Sequence, residues 1–244
     1  MEVHTHTHTE RKKFTHYLWE FLMLFLAVFF GFLAEYQLEH KIESDKEFQF
    51  IRSLVIDLEN DTITFGKTIK RMDSSIQSLD TLMHLFSSPA VKNYGSDLYY
   101  LGMGVSRVIQ LVINDRTMQQ LKNSGSFRLI RKKEAPAGII DYYSRLVFLD
   151  RLQLIETRDI EEYRKMAIDI FQPILFDQVV APDNSLARPA DNSPLMTYDS
   201  RLLLRMAGIV RYIKAVRIAL RDRQKDMNIA AKNLILLLKK EYHL

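Results

Sequence analysis

FTHYLWEFLMLFLAVFFGFLAEYQL, residues 14–38, decides how the rest of this chain is read. Its centre, Leu18 to Ala34, carries one charged side chain, Glu20, among apolar residues and Gly31. With its aromatic edges the stretch supplies about 20 residues of helix, which at roughly 1.5 Å per residue matches a hydrocarbon layer of about 30 Å. The apolar core is longer than that of a signal peptide. Glu35, Tyr36 and Gln37 follow it where a cleavage site would place small residues. The stretch therefore predicts an uncleaved transmembrane helix, the alternative being a buried helix of a soluble protein. Tyr17, Trp19 and Tyr36 stand near its ends, where amphipathic rings favour the headgroup layer. Glu20 lies less than a turn inside the edge, where a carboxylate costs less than at the centre, and His16 stands one turn before it as a partner.

Upstream, residues 1–13 read MEVHTHTHTERKK, a polar tail. If extended, its alternation places His4, His6 and His8 on one side, an arrangement that suits a divalent transition metal such as Zn²⁺, Ni²⁺ or Cu²⁺. The competing reading is a disordered terminus with no fixed partner. Arg11, Lys12 and Lys13 precede the apolar stretch, whereas Glu35, Glu39 and Glu43 against Lys41 follow it. Positive charge concentrates on the cytoplasmic side. The N-terminus is thus expected in the cytoplasm of a bacterium, the inner membrane around residues 14–38, and the C-terminal part in the periplasm.

Downstream, residues 39–244 read as one helical bundle domain, and the whole chain as all-α. Eight glycines and six prolines in 244 residues leave room for few turns. From Phe14 to Ser88 there is no proline, so the helix is expected to run on from the membrane, with the capping-box pattern Ser44–Glu47 as the place for a break. Ile51, Val55, Leu58, Phe65, Ile69, Met72, Ile76, Leu79, Met83 and Phe86 step by four and three, interrupted only at Thr62. That is a heptad seam for lengthwise packing. A second seam, Leu202, Met206, Ile209, Ile213, Val216, Leu220, Met227, Ala230 or Ala231, Leu234 and Leu237 or Leu238, predicts a last helix over about 198–242, parallel or antiparallel to the first.

Between the two seams the elements are shorter. Residues 98–121 predict helix interrupted near Asn114 and Asp115, with Asp115 as an N-cap and Gly125 as a left-handed C-terminal turn. Leu111–Ile113 is the one candidate strand. Helix follows from about Ala137 to Arg151 and continues or kinks into a second that runs to Val180, its last turns bent by Pro173. APDNSLARPADNSP, residues 181–194, combines three prolines with Asp, Asn and Ser and reads as a flexible loop, either a mobile connection or a binding loop.

The chain has no cysteine, which excludes disulfides, thiolate metal sites and a cysteine nucleophile. Its net charge of +4 is scattered along helices, the pattern of solvated faces and not of a nucleic-acid surface. No phosphate-binding glycine loop, H-E-x-x-H or G-x-S-x-G occurs, and Gly102-x-Gly104 is too short to carry a function. His40, His84 and His243 are too far apart for local ligand spacing, and Glu161 and Glu162 point apart on a helix. The paired tyrosines Tyr99–Tyr100 and Tyr142–Tyr143 read as core or pocket lining.

HTHTHTERKKFTHYLWEFLMLFLAVFFGFLAEYQLEHKIE resembles the N-terminus of a family of uncharacterised single-span membrane proteins of Bacteroidota. LKNSGSFRLI and IIDYYSRL are similar to that family's middle region. The resemblance implies an anchored helical architecture and carries over no site residue. A non-enzymatic sensor, scaffold or assembly subunit is the expected function, with the lipid bilayer and a second copy or a membrane protein as partners and no cofactor beyond a metal at the tail. The alternatives are a subunit of a transport or ion-conducting complex using Glu20 and a metal-responsive protein using the histidine tail.

Overall fold

The computed structural model describes residues 14–244; the tail with His4, His6 and His8 lies outside the described residues. The chain is all-α. Among the described residues six helices follow in order: α1 (Phe14–Phe86), α2 (Gly95–Val105), α3 (Arg116–Asn123), α4 (Ala135–Ala167), α5 (Pro173–Gln178) and α6 (Ser200–Tyr242), with 3₁₀ turns at Val91–Tyr94 and Ser126–Leu129. Among the described residues, 14–50 and 51–244 form two separate compact units. The α1 helix does not break at Ser44. Inside a helix the N–H groups that a capping box would satisfy already bond to carbonyls four residues back, and no Gly or Pro lies near to release them.

In the first unit α1 is exposed around its whole circumference. Phe21, Leu22, Met23 and Leu24 are 66%, 39%, 65% and 68% exposed, and four consecutive residues at 100° each point in every direction. Phe21, Phe25 and Phe29 stack one turn apart, with ring centroids 6.3 and 6.0 Å apart. Among the described residues this is the helix long and apolar enough to cross a membrane.

In the second unit, residues 51–86 of α1 pack with α4 and α6. Ion pairs Asp80–Lys214, Asp73–Arg221 (3.2 Å) and Glu59–Lys239 (2.7 Å) climb α1 while descending α6, so these helices are antiparallel. The α4 helix also runs antiparallel to α6. Glu156 pairs with Arg217 near its C-terminal half, and the Glu241 carboxylate accepts the N–H groups of Glu134 and Ala135 at its start. That carboxylate caps α4 from another helix, satisfying donors that Glu134's own side chain leaves unbonded.

Three of the shorter elements differ from expectation in informative ways. Residues 106–115, Leu111–Ile113 included, are irregular and not a strand. The α4 helix is unbroken to Ala167, and Pro173 opens α5 at its first position instead of bending a longer helix. Proline lacks the N–H an interior position must donate, whereas the first turn has no use for it. Residues 181–194 lie against α2: Asn192 accepts the Gly95 N–H (2.5 Å) and donates to the Lys92 carbonyl (3.1 Å), Ser96 donates to Pro189 O (2.6 Å), and the Tyr99 hydroxyl donates to Pro194 O (3.0 Å). Gly125, at φ +66°, supplies the left-handed turn after α3 as expected. The G-x-G at 102–104 is a packing feature. A Cβ at residue 102 would meet the Phe171 ring at 2.6 Å, and the Gly102 carbonyl accepts the Tyr163 hydroxyl (2.9 Å).

One buried cation ties the unit together. Arg217 and Glu156 are 1% and 0% exposed and pair at 2.6 Å. The same guanidinium donates to Ser75 Oγ on α1 (2.5 Å) and to the Arg107 carbonyl (2.9 Å) beyond the end of α2. Arg217→Met leaves the Glu156 charge buried without its partner and is expected to destabilise by about 3–5 kcal/mol. Glu156→Leu combined with Arg217→Met should return most of that loss. The check is urea unfolding of the full chain in neutral detergent, and a double variant no more stable than Arg217→Met would contradict the pairing energetics.

Candidate functional site

Besides Arg217 and its partners, two places among the described residues gather polar groups where apolar ones are the default. The first is the expected pair on the apolar segment: His16 Nε2 lies 2.9 Å from Glu20 Oε1, one helical turn apart, with both side chains about half exposed. A side chain four residues back on a helix is within reach by geometry alone, which is why the sequence indicates this contact.

The second place was not legible as a site. Asp57 and Asp61 on α1 are both 1% exposed and stand one turn apart on the face turned into the bundle. Asp57 accepts both the N–H (3.1 Å) and the hydroxyl (2.5 Å) of Thr117, and Arg116 lies 3.8 Å from its other oxygen. Asp115 is the N-cap residue of α3 by position, but its side chain makes no capping bond; Asp57 supplies the carboxylate from another helix. Asp61 accepts the Asn114 N–H (2.8 Å) and the Tyr142 hydroxyl (3.0 Å), so two acids on α1 hold the turn before α3 and the first half of α4.

The electrostatics follow from burial. Loss of water pushes the Asp61 carboxyl from 3.8 up to about 6; the charges of Asp57 and Asp115 add to this, and the Asn114 N–H and Tyr142 hydroxyl oppose it. Burial first, and then the Asp61 charge, pushes the Tyr142 and Tyr143 phenols above their ordinary range, so both remain protonated. Tyr142 spends its proton on Asp61. The Tyr143 hydroxyl is buried with no hydrogen-bond partner and borders a cavity of about 430 Å³ together with Asp115, Gln119 and Asp150.

Of the other tyrosines singled out by sequence, Tyr99 is buried core and Tyr100 borders a different cavity. Among the described residues no group of three or more His, Asp or Glu is arranged to hold a metal ion. The sequence held only an indirect signal for Asp61: the expected seam was interrupted at Thr62, whereas the residue buried between Leu58 and Phe65 is Asp61, one position earlier. No family model, curated protein or solved structure matches the chain; the reading of these sites rests on their own residues.

Asp61 carries a pH dependence whose sign follows from its direction. With the folded value above the unfolded one, its stabilising contribution is full below pH 3.8 and is lost as pH rises through about 6. Two units at about 1.4 kcal/mol each bound the loss at about 3 kcal/mol. Asp61→Asn keeps an acceptor for the Asn114 N–H and stays neutral. It is therefore expected to gain on the wild type steadily between pH 4 and pH 7 in chemical unfolding, and parallel stability curves would refute the assignment.

Proposed function

We propose that this chain is a membrane-anchored, non-enzymatic sensor, scaffold or assembly subunit that acts through helix–helix contacts. The observation that carries the reading is the apolar segment of α1 between Phe14 and Leu38, exposed on every side and therefore in need of lipid or of other helices around it. The use of buried polar groups supports it further. Asp57, Asp61, Glu156 and Arg217 are all engaged in fastening one helix to another. The three cationic residues before the segment and the acidic ones after it favour a cytoplasmic N-terminus and a periplasmic bundle, in the inner membrane of a bacterium. The N-terminal likeness to the Bacteroidota single-span family agrees with such an anchor.

Helix contacts in the membrane leave a periodic signature. Because the chain has no cysteine, single cysteines can be introduced at each position from Phe21 to Phe32 without background. Oxidative crosslinking of the full chain in membranes is expected to recur every three to four positions, as packed helices require. Crosslinking that is absent, or equal at all positions, would remove the homo-oligomeric form of the proposal.

The contact between His16 and Glu20 favours a second reading, in which the pair faces a partner helix of a transport or ion-conducting complex. Intramembrane ionisable residues are conserved for such roles in general and are costly elsewhere. Glu20→Gln would then impair assembly or conductance at least tenfold while leaving bundle stability unchanged. A variant with full assembly and activity would end this reading.

A further inference from the structure

Against the middle of α1 lies the concavity that Tyr100 borders, of about 490 Å³, whose charged lining is of one sign. Lys70, Arg71, Arg107 and Arg217 border it and no carboxylate does. The chain as a whole has nearly balanced charge, 34 basic residues to 30 acidic; Glu156 balances Arg217, which leaves three cations on the lining against no carboxylate, a local arrangement. The acids that lie nearby on α1 are already engaged: Asp73 with Arg221 and Asp80 with Lys214. Lys70 and Arg71 are in no ion pair.

The cations are not equivalent. Arg107 is held from the 181–194 segment, donating to the Asn184 carbonyl (2.5 Å) and to its side-chain oxygen (3.0 Å). Arg217 is fixed by its buried contacts: of the five N–H donors of a guanidinium, four go to Glu156, Ser75, Val105 and Arg107. Lys70 and Arg71 are exposed at the rim and free to close on a ligand. Hydroxyls stand between these groups. Ser75 accepts from Arg217 and keeps its own hydrogen to donate, and Ser74, one position earlier, makes no side-chain hydrogen bond. Apart from Ser78 and Tyr100, the remainder of the lining is apolar, with Leu79, Leu101, Ile109 and Leu186 prominent.

We propose that this cavity binds a phosphate monoester carried on an apolar body. A phosphate brings a charge near −2 and three acceptor oxygens, which suit several converging cations and hydroxyl donors better than a carboxylate does. The volume exceeds what a phosphate group fills and lies in the range of small-molecule sites, and the apolar lining has no role toward a bare ion. The site stands on its own residues and goes beyond the proposed scaffold role, which does not depend on it.

The test uses the full chain in neutral detergent and calorimetric titration with three probes: phenyl phosphate, inorganic phosphate and phenol. Phenyl phosphate is expected to bind about tenfold more tightly than inorganic phosphate, a step of about 1.4 kcal/mol, and phenol not at all. Lys70→Gln combined with Arg71→Gln changes only exposed side chains. It should leave the melting temperature without ligand unchanged and weaken phenyl phosphate at least tenfold. Lys67→Gln, outside the cavity, should bind as the wild type does. No heat from either phosphate up to about 10 mM would overturn the proposal, as would undiminished binding by the double variant or binding of phenol equal to that of phenyl phosphate.

Discussion

The second compact unit is held in register by one buried guanidinium. Arg217 sits at a seam position of α6, between Ile213 and Leu220, where an apolar side chain would ordinarily pack. From there it reaches α4 through Glu156, α1 through Ser75, and the end of α2 through the carbonyls of Val105 and Arg107. An ammonium could not do this. The planar fork of arginine addresses a carboxylate, a hydroxyl and two carbonyls at once, and it stays charged when buried. A seam of leucines would pack as tightly in several registers, whereas a buried charge is tolerated only where its partners meet it.

The acids of the bundle follow the same logic. Asp57 caps α3 from α1, and Glu241 caps α4 from the last turn of α6. Each places a negative charge at the positive end of a helix and at the same time joins two elements distant in sequence. The cation that orders the core also borders the open space between α1 and the end of α2, and the 181–194 segment steadies a second, Arg107, at its edge. Structural and binding roles thus meet in one set of residues, which explains why a basic cavity exists in a chain of nearly balanced charge.

Much of this was legible in residues, and the misreadings are physical. On α1 the expected seam took Ile69 and Met83, which are half-buried, and passed over Leu54, Asp57, Asp61, Thr68 and Leu82, which are buried beside Ile51, Val55, Leu58, Phe65, Met72, Ile76, Leu79 and Phe86. On α6 the buried line runs Leu203, Met206, Val210, Ile213, Arg217, Leu220, Gln224 and Met227. In both helices the phase was drawn toward apolar residues on the flank because the true line includes polar ones. Apolar periodicity detects a seam only as far as the seam is apolar. The segment 181–194 misled for a related reason: proline, Asn and Ser mark a change of direction, but not whether their carbonyls and amides find partners elsewhere.

The sequence by itself determined what depends on neighbours within a few turns. That includes the apolar helix at residues 14–38, the all-α character, the long first and last helices, the left-handed turn at Gly125 and the reach of His16 to Glu20. Tertiary structure decided what depends on residues far apart: the antiparallel pairing of α1 with α6, the burial of Asp57, Asp61, Glu156 and Arg217, and the clustering of four cations around one cavity. The reason is the range of the forces that write a pattern. Helix periodicity and turn preference act over three to seven residues, so they are visible in any short window. A buried charge is stable only beside a partner that, for Arg217 and Glu156, is 61 positions away, and no local window contains both.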